Sequence, residues 1–215
     1  MPPQRKTDGV RRQDEESAKN DETPRGWKEL VKRLRKEENL FKRSALFTGY
    51  LFYILSKKNV DAYLVGGTAV AFYTSGQFTT GDIDITVTDT EKAVKLLKQM
   101  GFEKTGRIWL NQKLTLAIDI IVDTSPSSKA KTRTILIERF QIKVVGVEDL
   151  IIDRLVAAKY WRSSPKYDIE QATVLFKAYL NSIDKPYIKQ LANAQHVDDY
   201  LQEIEEWATK QTQLD

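Results

Sequence analysis

The sequence predicts an α+β fold: a mixed β-sheet with flanking helices and a C-terminal helical bundle. Three observations predict it. Apolar residues recur at helical spacing before residue 60 and again after residue 147. Between them lie short strand-like runs bounded by Gly, Asn, Asp and Thr. Strand and helix patterns alternate twice and then give way to consecutive strands, so the sheet is expected to mix parallel and antiparallel pairs.

Taken in order, residues 1–25 are Pro, Lys, Arg, Asp, Glu, Ser and Asn with almost no large apolar side chain. They cannot bury a core and are expected to form a disordered basic/polar tail. From Gly26 onward Trp27, Leu30, Val31 and Leu34 recur at helical spacing. A second helix, rich in Leu, Phe and Tyr, is predicted over 44–56. A strand over 61–65 runs into Gly66-Gly67, a helix follows over 68–74, and Ser75-Gly76 breaks it. A strand is predicted over 82–87. Thr88-Asp89-Thr90 supplies N-cap candidates for a helix over 91–100, which Gly101 closes. Strands over 102–109 and 113–122 are joined by a turn at Asn111-Gln112. Two more, over 134–137 and 140–145, are joined at Glu138-Arg139. Helices are predicted over 148–161, 167–180, 186–194 and 197–209. The expected organisation is a tail (1–25), an α/β core with N-terminal helices (26–145) and a helical region (146–215). The basic loop from Lys129 to Arg133 is read as solvated.

Composition narrows the class. The chain has 215 residues, 41% hydrophobic and 30% charged, which is ordinary for a globular protein. No apolar run approaches the roughly 18 residues that a membrane span needs. The polar start of the chain gives no expectation of a signal peptide, and no membrane partner is expected. There is no cysteine, which excludes disulfides and thiolate metal sites and fits a cytoplasmic protein. Residues 1–43 hold 13 Lys+Arg against 9 Asp+Glu, whereas 44–215 hold 21 of each. The basic surplus therefore lies at the N-terminal end, as a solubilising segment or a contact for an anionic partner such as RNA.

The chemistry-bearing stretch joins Gly66-Gly67 to Asp82-Ile83-Asp84-Ile85. Side chains alternate along a strand, so Asp82 and Asp84 share a face, roughly 6–7 Å apart. Ionised, they repel by about 2–3 kcal/mol at an effective dielectric near 20. A divalent cation between them reverses the sign, and hard oxygen ligands suit Mg²⁺. A third carboxylate, Asp119, sits in the apolar run Leu116-Ala-Ile-Asp-Ile-Ile-Val122, where a charge is costly unless paired or metal-bound. Asp123 is a second-ranked candidate for the same role. Glycines between a strand and a helix N-terminus let backbone approach a phosphate, and Thr68 could add a hydroxyl.

Together these motifs resemble the nucleotidyltransferases of the DNA polymerase β superfamily. The matching positions are Val65-Gly66-Gly67, Asp82-Ile83-Asp84-Ile85 and Ile118-Asp119-Ile120-Ile121. Glu148-Asp149-Leu150, Arg154 and Asp168 resemble the helical segment of the small bacterial and archaeal members, including the abortive-infection toxin type. The resemblance covers about residues 60–175. It implies a nucleotidyltransferase-like fold that moves a nucleoside monophosphate from an NTP to a hydroxyl of RNA (a tRNA 3′ end), protein or a small molecule. It also implies two Mg²⁺ ions, with Mn²⁺ as a substitute, held by Asp82, Asp84 and Asp119 as catalytic and metal residues. Gly66, Gly67, Thr68, Arg154, Lys159 and Asp168 would serve the nucleotide. A toxin–antitoxin or phage-defence setting, with a partner antitoxin protein, is implied as well. Three departures stand out. Relatives often carry Arg shortly before Asp-x-Asp, where this chain has Gln77-Phe-Thr-Thr-Gly81; Arg154 stands where Lys is common; and Tyr167 stands where Lys is usual. The alternative is a non-catalytic module on the same fold that binds nucleotide, nucleic acid or protein.

Other chemistries find no residues. One histidine, His196, and no cysteine leave no zinc site, and His196 reads as a surface residue. No Gly-x-Ser-x-Gly elbow, Walker loop or dinucleotide fingerprint occurs. Trp27, Trp109, Trp161 and Trp207 are expected in the core.

Overall fold

The computed structural model describes residues 23–121, 131–161 and 165–212. The expected tail therefore lies almost wholly outside the described residues, and so does Asp123.

Helix α1 (Trp27–Lys36) buries Trp27, Leu30 and Leu34, the stripe its spacing predicts. Helix α2 (Leu40–Ser56) starts four residues earlier than expected, because Asn39 accepts a hydrogen bond from the Lys42 N–H at 2.9 Å and caps it. Strand β1 (Ala62–Leu64), helix α3 (Gly66–Tyr73), strand β2 (Ile83–Val87) and helix α4 (Thr90–Gln99) follow. The glycine pair belongs to the first turn of α3 rather than preceding it.

The strand expected over 102–109 is instead a hairpin of β3 (Glu103–Thr105) and β4 (Ile108–Asn111). Gly106 turns the chain at φ +61. Asn111 ends β4, and its side chain accepts from the Leu114 N–H at 3.2 Å to cap a 3₁₀ turn. Strands β5 (Leu116–Ile120), β6 (Thr132–Ile137) and β7 (Phe140–Val145) complete a seven-stranded sheet in the order β3-β4-β5-β2-β1-β7-β6. The β2–β5 and β1–β7 pairs are parallel and the others antiparallel, as a mixed sheet requires.

One face of the sheet is apolar. Ile83, Ile85, Leu64, Ile118, Ile142 and Val144 are nearly inaccessible and belong to one core with α1, α2 and α4. Leu64 is paired with both Ile85 and Val144, so these side chains share that face. Alternation turns Asp84 and Asp119 to the other face.

Helices α5 (Val147–Tyr160), α6 (Pro165–Tyr179), α7 (Lys185–Ala194) and α8 (Asp198–Thr212) follow the sheet. Glu148 and Asp149 tie α7 to α5. Glu148 Oε1 accepts from the Asp184 N–H at 3.0 Å, and Asp149 Oδ1 accepts from the Tyr187 hydroxyl at 2.8 Å. Two expectations fail on this side. Trp161 and Trp207 are 65% and 45% exposed rather than core. Trp161 stands just past the last turn of α5, and Trp207 lies on α8 with the Lys177 ammonium 6.0 Å from its ring. Of the basic loop, residues 129 and 130 lie outside the described residues; Lys131, exposed, pairs with Asp184 at 2.5 Å, and the Arg133 guanidinium lies over the Tyr179 ring. No helix among the described residues is long and apolar enough to cross a membrane.

Candidate functional site

Parallel pairing of β2 with β5 sets Asp84 directly beside Asp119. Cross-strand partners project to the same face. Asp82 precedes β2 by one residue and keeps the same alternation. One carboxylate oxygen from each of Asp82, Asp84 and Asp119 lies within 4.8 Å of the other two. Ligand oxygens on opposite sides of a Mg²⁺ ion stand about 4.2 Å apart, so small rotations of these side chains would accommodate one.

The glycines fit around the carboxylates. Gly66 adopts φ +58, and a Cβ there would stand 2.7 Å from Asp84 Oδ2. A Cβ on Gly67 would stand 2.6 Å from Thr80 Cγ2. The backbone therefore presses on Asp84 where only glycine fits. Thr68 is buried, and its hydroxyl is taken within the protein: it donates to the Asp82 carbonyl at 2.8 Å and accepts from the Asp84 N–H at 3.0 Å. Its backbone N–H reaches Asp84 Oδ2 at 3.3 Å. Thr68 thus pins the Asp-x-Asp strand to α3.

The electrostatics are frustrated. Burial, and then the Asp82 charge, push the Asp84 carboxyl up to about 6, with Asp119 adding to the effect. The Thr68 N–H and the more distant Arg154 oppose the rise. A group of anions that resist ionising together is what a bound cation relieves.

Sequence reasoning missed Arg107. Its Nε lies 3.2 Å from Asp119 Oδ2, although its side chain is 80% exposed. Gly106 carried the available signal. A turn there starts β4 at Ile108, which pairs with Asp119.

The remaining candidates separate. Arg154 on α5 donates to Asp168 Oδ1 at 3.4 Å and to Asp153 Oδ2 at 2.5 Å, and its charge reaches Asp84. Asp168 is nearly buried, and burial pushes its carboxyl above the usual range while Arg154 opposes this. Tyr167, beside it, packs edge-on against Phe78 from the segment that leads to Asp82, with ring centroids 5.8 Å apart. Lys159 points elsewhere. Its ammonium holds both oxygens of Asp199, at 2.9 and 3.0 Å, and the His196 carbonyl at 2.7 Å, so it ties α5 to the start of α8. His196 is exposed, as expected.

No protein-family model matches the chain, and no curated protein does. Similar solved structures include two nucleotidyltransferase-related proteins. One is an antigenic nucleotidyltransferase-like protein from Paracoccidioides brasiliensis, 16% identical, with 69% of this chain and 91% of that one covered at a TM-score of 0.49. The other is the antibiotic-resistance factor ANT(2'')-Ia, 14% identical, with 73% of this chain and 92% of that one covered at a TM-score of 0.49.

Proposed function

We propose that this protein is a Mg²⁺-dependent nucleotidyltransferase that moves a nucleoside monophosphate from an NTP to an acceptor hydroxyl. The observation that supports it best is the in-register pairing of Asp84 with Asp119, which gathers three carboxylates beside a glycine-only contact. Three converging anions, one of them desolvated, have no inexpensive structural explanation. Bound divalent ions, Mg²⁺ or Mn²⁺, would supply charge neutralisation for the triphosphate and activation of the acceptor hydroxyl. Asp82 and Asp84 would hold both ions, and Asp119 the ion on the acceptor side. Gly66 and Gly67, in the first turn of α3, would present backbone N–H groups to phosphate oxygens. Arg154, oriented by Asp168, would face the nucleotide. The acceptor is an RNA end, a protein side chain or a small molecule, and a toxin or phage-defence role fits the motif resemblance.

One observation favours the non-catalytic alternative: Arg107 already places a cation on Asp119. A single experiment separates the two. The chain is incubated with each α-labelled NTP, Mg²⁺ and either total RNA or no other acceptor. Label transfer that disappears in Asp82→Ala/Asp84→Ala supports the transferase. Absence of transfer with every NTP, together with nucleotide affinity unchanged in that variant, overturns it in favour of a binding module.

A further inference from the structure

On the apolar side of the sheet, away from the carboxylates, α1, α2, α4 and the β6–β7 turn enclose an open cavity of about 1160 Å³. Phe140 forms part of its wall. Alternation along β7 sets Phe140 with Ile142 and Val144, on the face opposite Asp84 and Asp119.

The lining is strongly cationic. Seven Lys and Arg side chains meet a single carboxylate, Glu29, which is itself held by Lys32 at 3.0 Å. Two of the seven are neutralised from outside the wall: Arg33 by Glu138 and Lys92 by Asp89. The other five, Arg25, Lys57, Lys58, Lys95 and Arg139, are exposed and have no carboxylate partner among the described residues. They come from four separate segments of chain, which the fold brings to one cavity. Four of the five lie in residues 44–215, which are neutral overall, so their concentration here is a local segregation of charge and not the chain average.

Aromatic surface lies among the cations. Tyr53 is 45% exposed, and its ring centroid is 5.9 Å from that of Phe140. The Lys57 ammonium lies 5.4 Å from the Tyr53 ring and the Arg139 guanidinium 5.2 Å from the Phe140 ring. Cations that track a backbone, with an accessible π-face between them, are the elements that bind single-stranded nucleic acid. An acidic peptide would use the cations but gives Tyr53 no planar partner.

We propose that this cavity is a docking groove for single-stranded nucleic acid, with phosphates on Arg25, Lys57, Lys58, Lys95 and Arg139 and a base against Tyr53. The groove is separate from the carboxylate site and works whether or not that site transfers nucleotides.

The test is fluorescence anisotropy with a labelled mixed-sequence single-stranded RNA of about 15 nucleotides, within the range one binding module covers. Five phosphate contacts give a slope of log K against log salt of roughly −3.5, at about −0.7 per contact. Lys57→Ala/Lys95→Ala weakens binding and makes that slope shallower by about 1.4. Tyr53→Ala weakens binding by roughly fivefold or more and leaves the slope unchanged. Lys57→Arg/Lys95→Arg retains binding, and so does Asp82→Ala/Asp84→Ala, which separates this groove from the transferase reading. All the altered lysines are exposed, and a native circular dichroism spectrum with a cooperative melt verifies that each variant is folded. Equal affinity and slope in wild type and Lys57→Ala/Lys95→Ala overturns the proposal. So does displacement of the RNA by polyglutamate of equal length as effectively as by unlabelled RNA, an outcome that would assign the groove to an acidic protein.

Discussion

The Arg107 guanidinium sits 3.2 Å from the Asp119 carboxylate, so a hairpin-tip cation neutralises the carboxylate that completes the triad. A divalent ion must compete with that contact. Arg107→Ala is therefore expected to tighten Mn²⁺ binding, by up to about fivefold given the small worth of an exposed ion pair. Isothermal titration of the two proteins with Mn²⁺ checks this. Equal or weaker affinity in the variant would mean that Arg107 does not occupy the cation's place.

Asp84 makes metal-free stability depend on pH. A carboxyl raised from 3.8 to about 6 holds more protons folded than unfolded between those values. Stability therefore falls as pH rises from about 4 through 6, by a total on the order of 3 kcal/mol. Asp84→Asn is expected to remove this loss and to be the more stable protein at neutral pH without metal. Urea unfolding at acid and neutral pH measures both. Added Mg²⁺ is expected to restore the wild type and to leave the variant unchanged, and stabilisation of the variant to the same extent would separate metal binding from Asp84.

Gly66→Ala is expected to damage the site directly. The new Cβ would stand 2.7 Å from Asp84 Oδ2 at φ +58, so the carboxylate must move. The left-handed backbone alone costs an alanine about 1–2 kcal/mol. Mn²⁺ affinity should fall by an order of magnitude or more while the circular dichroism spectrum stays native. Unimpaired Mn²⁺ binding would show that Asp84 tolerates the displacement.

Arg154 and Lys159 should part company. Arg154→Ala strips the nearly buried Asp168 of its partner and is expected to cost about 2 kcal/mol as well as label transfer. Lys159→Ala releases only the tie to Asp199 and His196, and transfer should be unchanged. Loss of transfer in Lys159→Ala, with the thermal midpoint preserved, would return Lys159 to the nucleotide site.

Much of the architecture was legible because its signals are local. The 3.6-residue stripe of Trp27, Leu30 and Leu34 gave α1, and the Asp89 cap placed α4 to within a residue, its side chain accepting from the Lys92 N–H. The hairpin at Gly106 was not recognised, because a single glycine within a strand-like run also reads as a bulge. Asn39 was missed as a cap because the apolar pattern strengthens only after it. The exposed Trp161 and Trp207 show that periodicity names a face but not whether anything covers it.

By itself, the sequence determined the α+β class, the alternation that puts Asp82 and Asp84 on one face, and Asp119 as the charge out of place in an apolar strand. These follow from neighbours a few residues apart. Only the tertiary structure decided that β5 lies parallel to β2 with Asp119 beside Asp84. It also decided that Arg107 reaches Asp119, that Lys159 serves Asp199, and that five cations from four segments share one groove. The physical reason is the same in each case. Strand register and the meeting of distant side chains depend on which apolar faces pack together across the whole chain, and no short stretch of sequence encodes that.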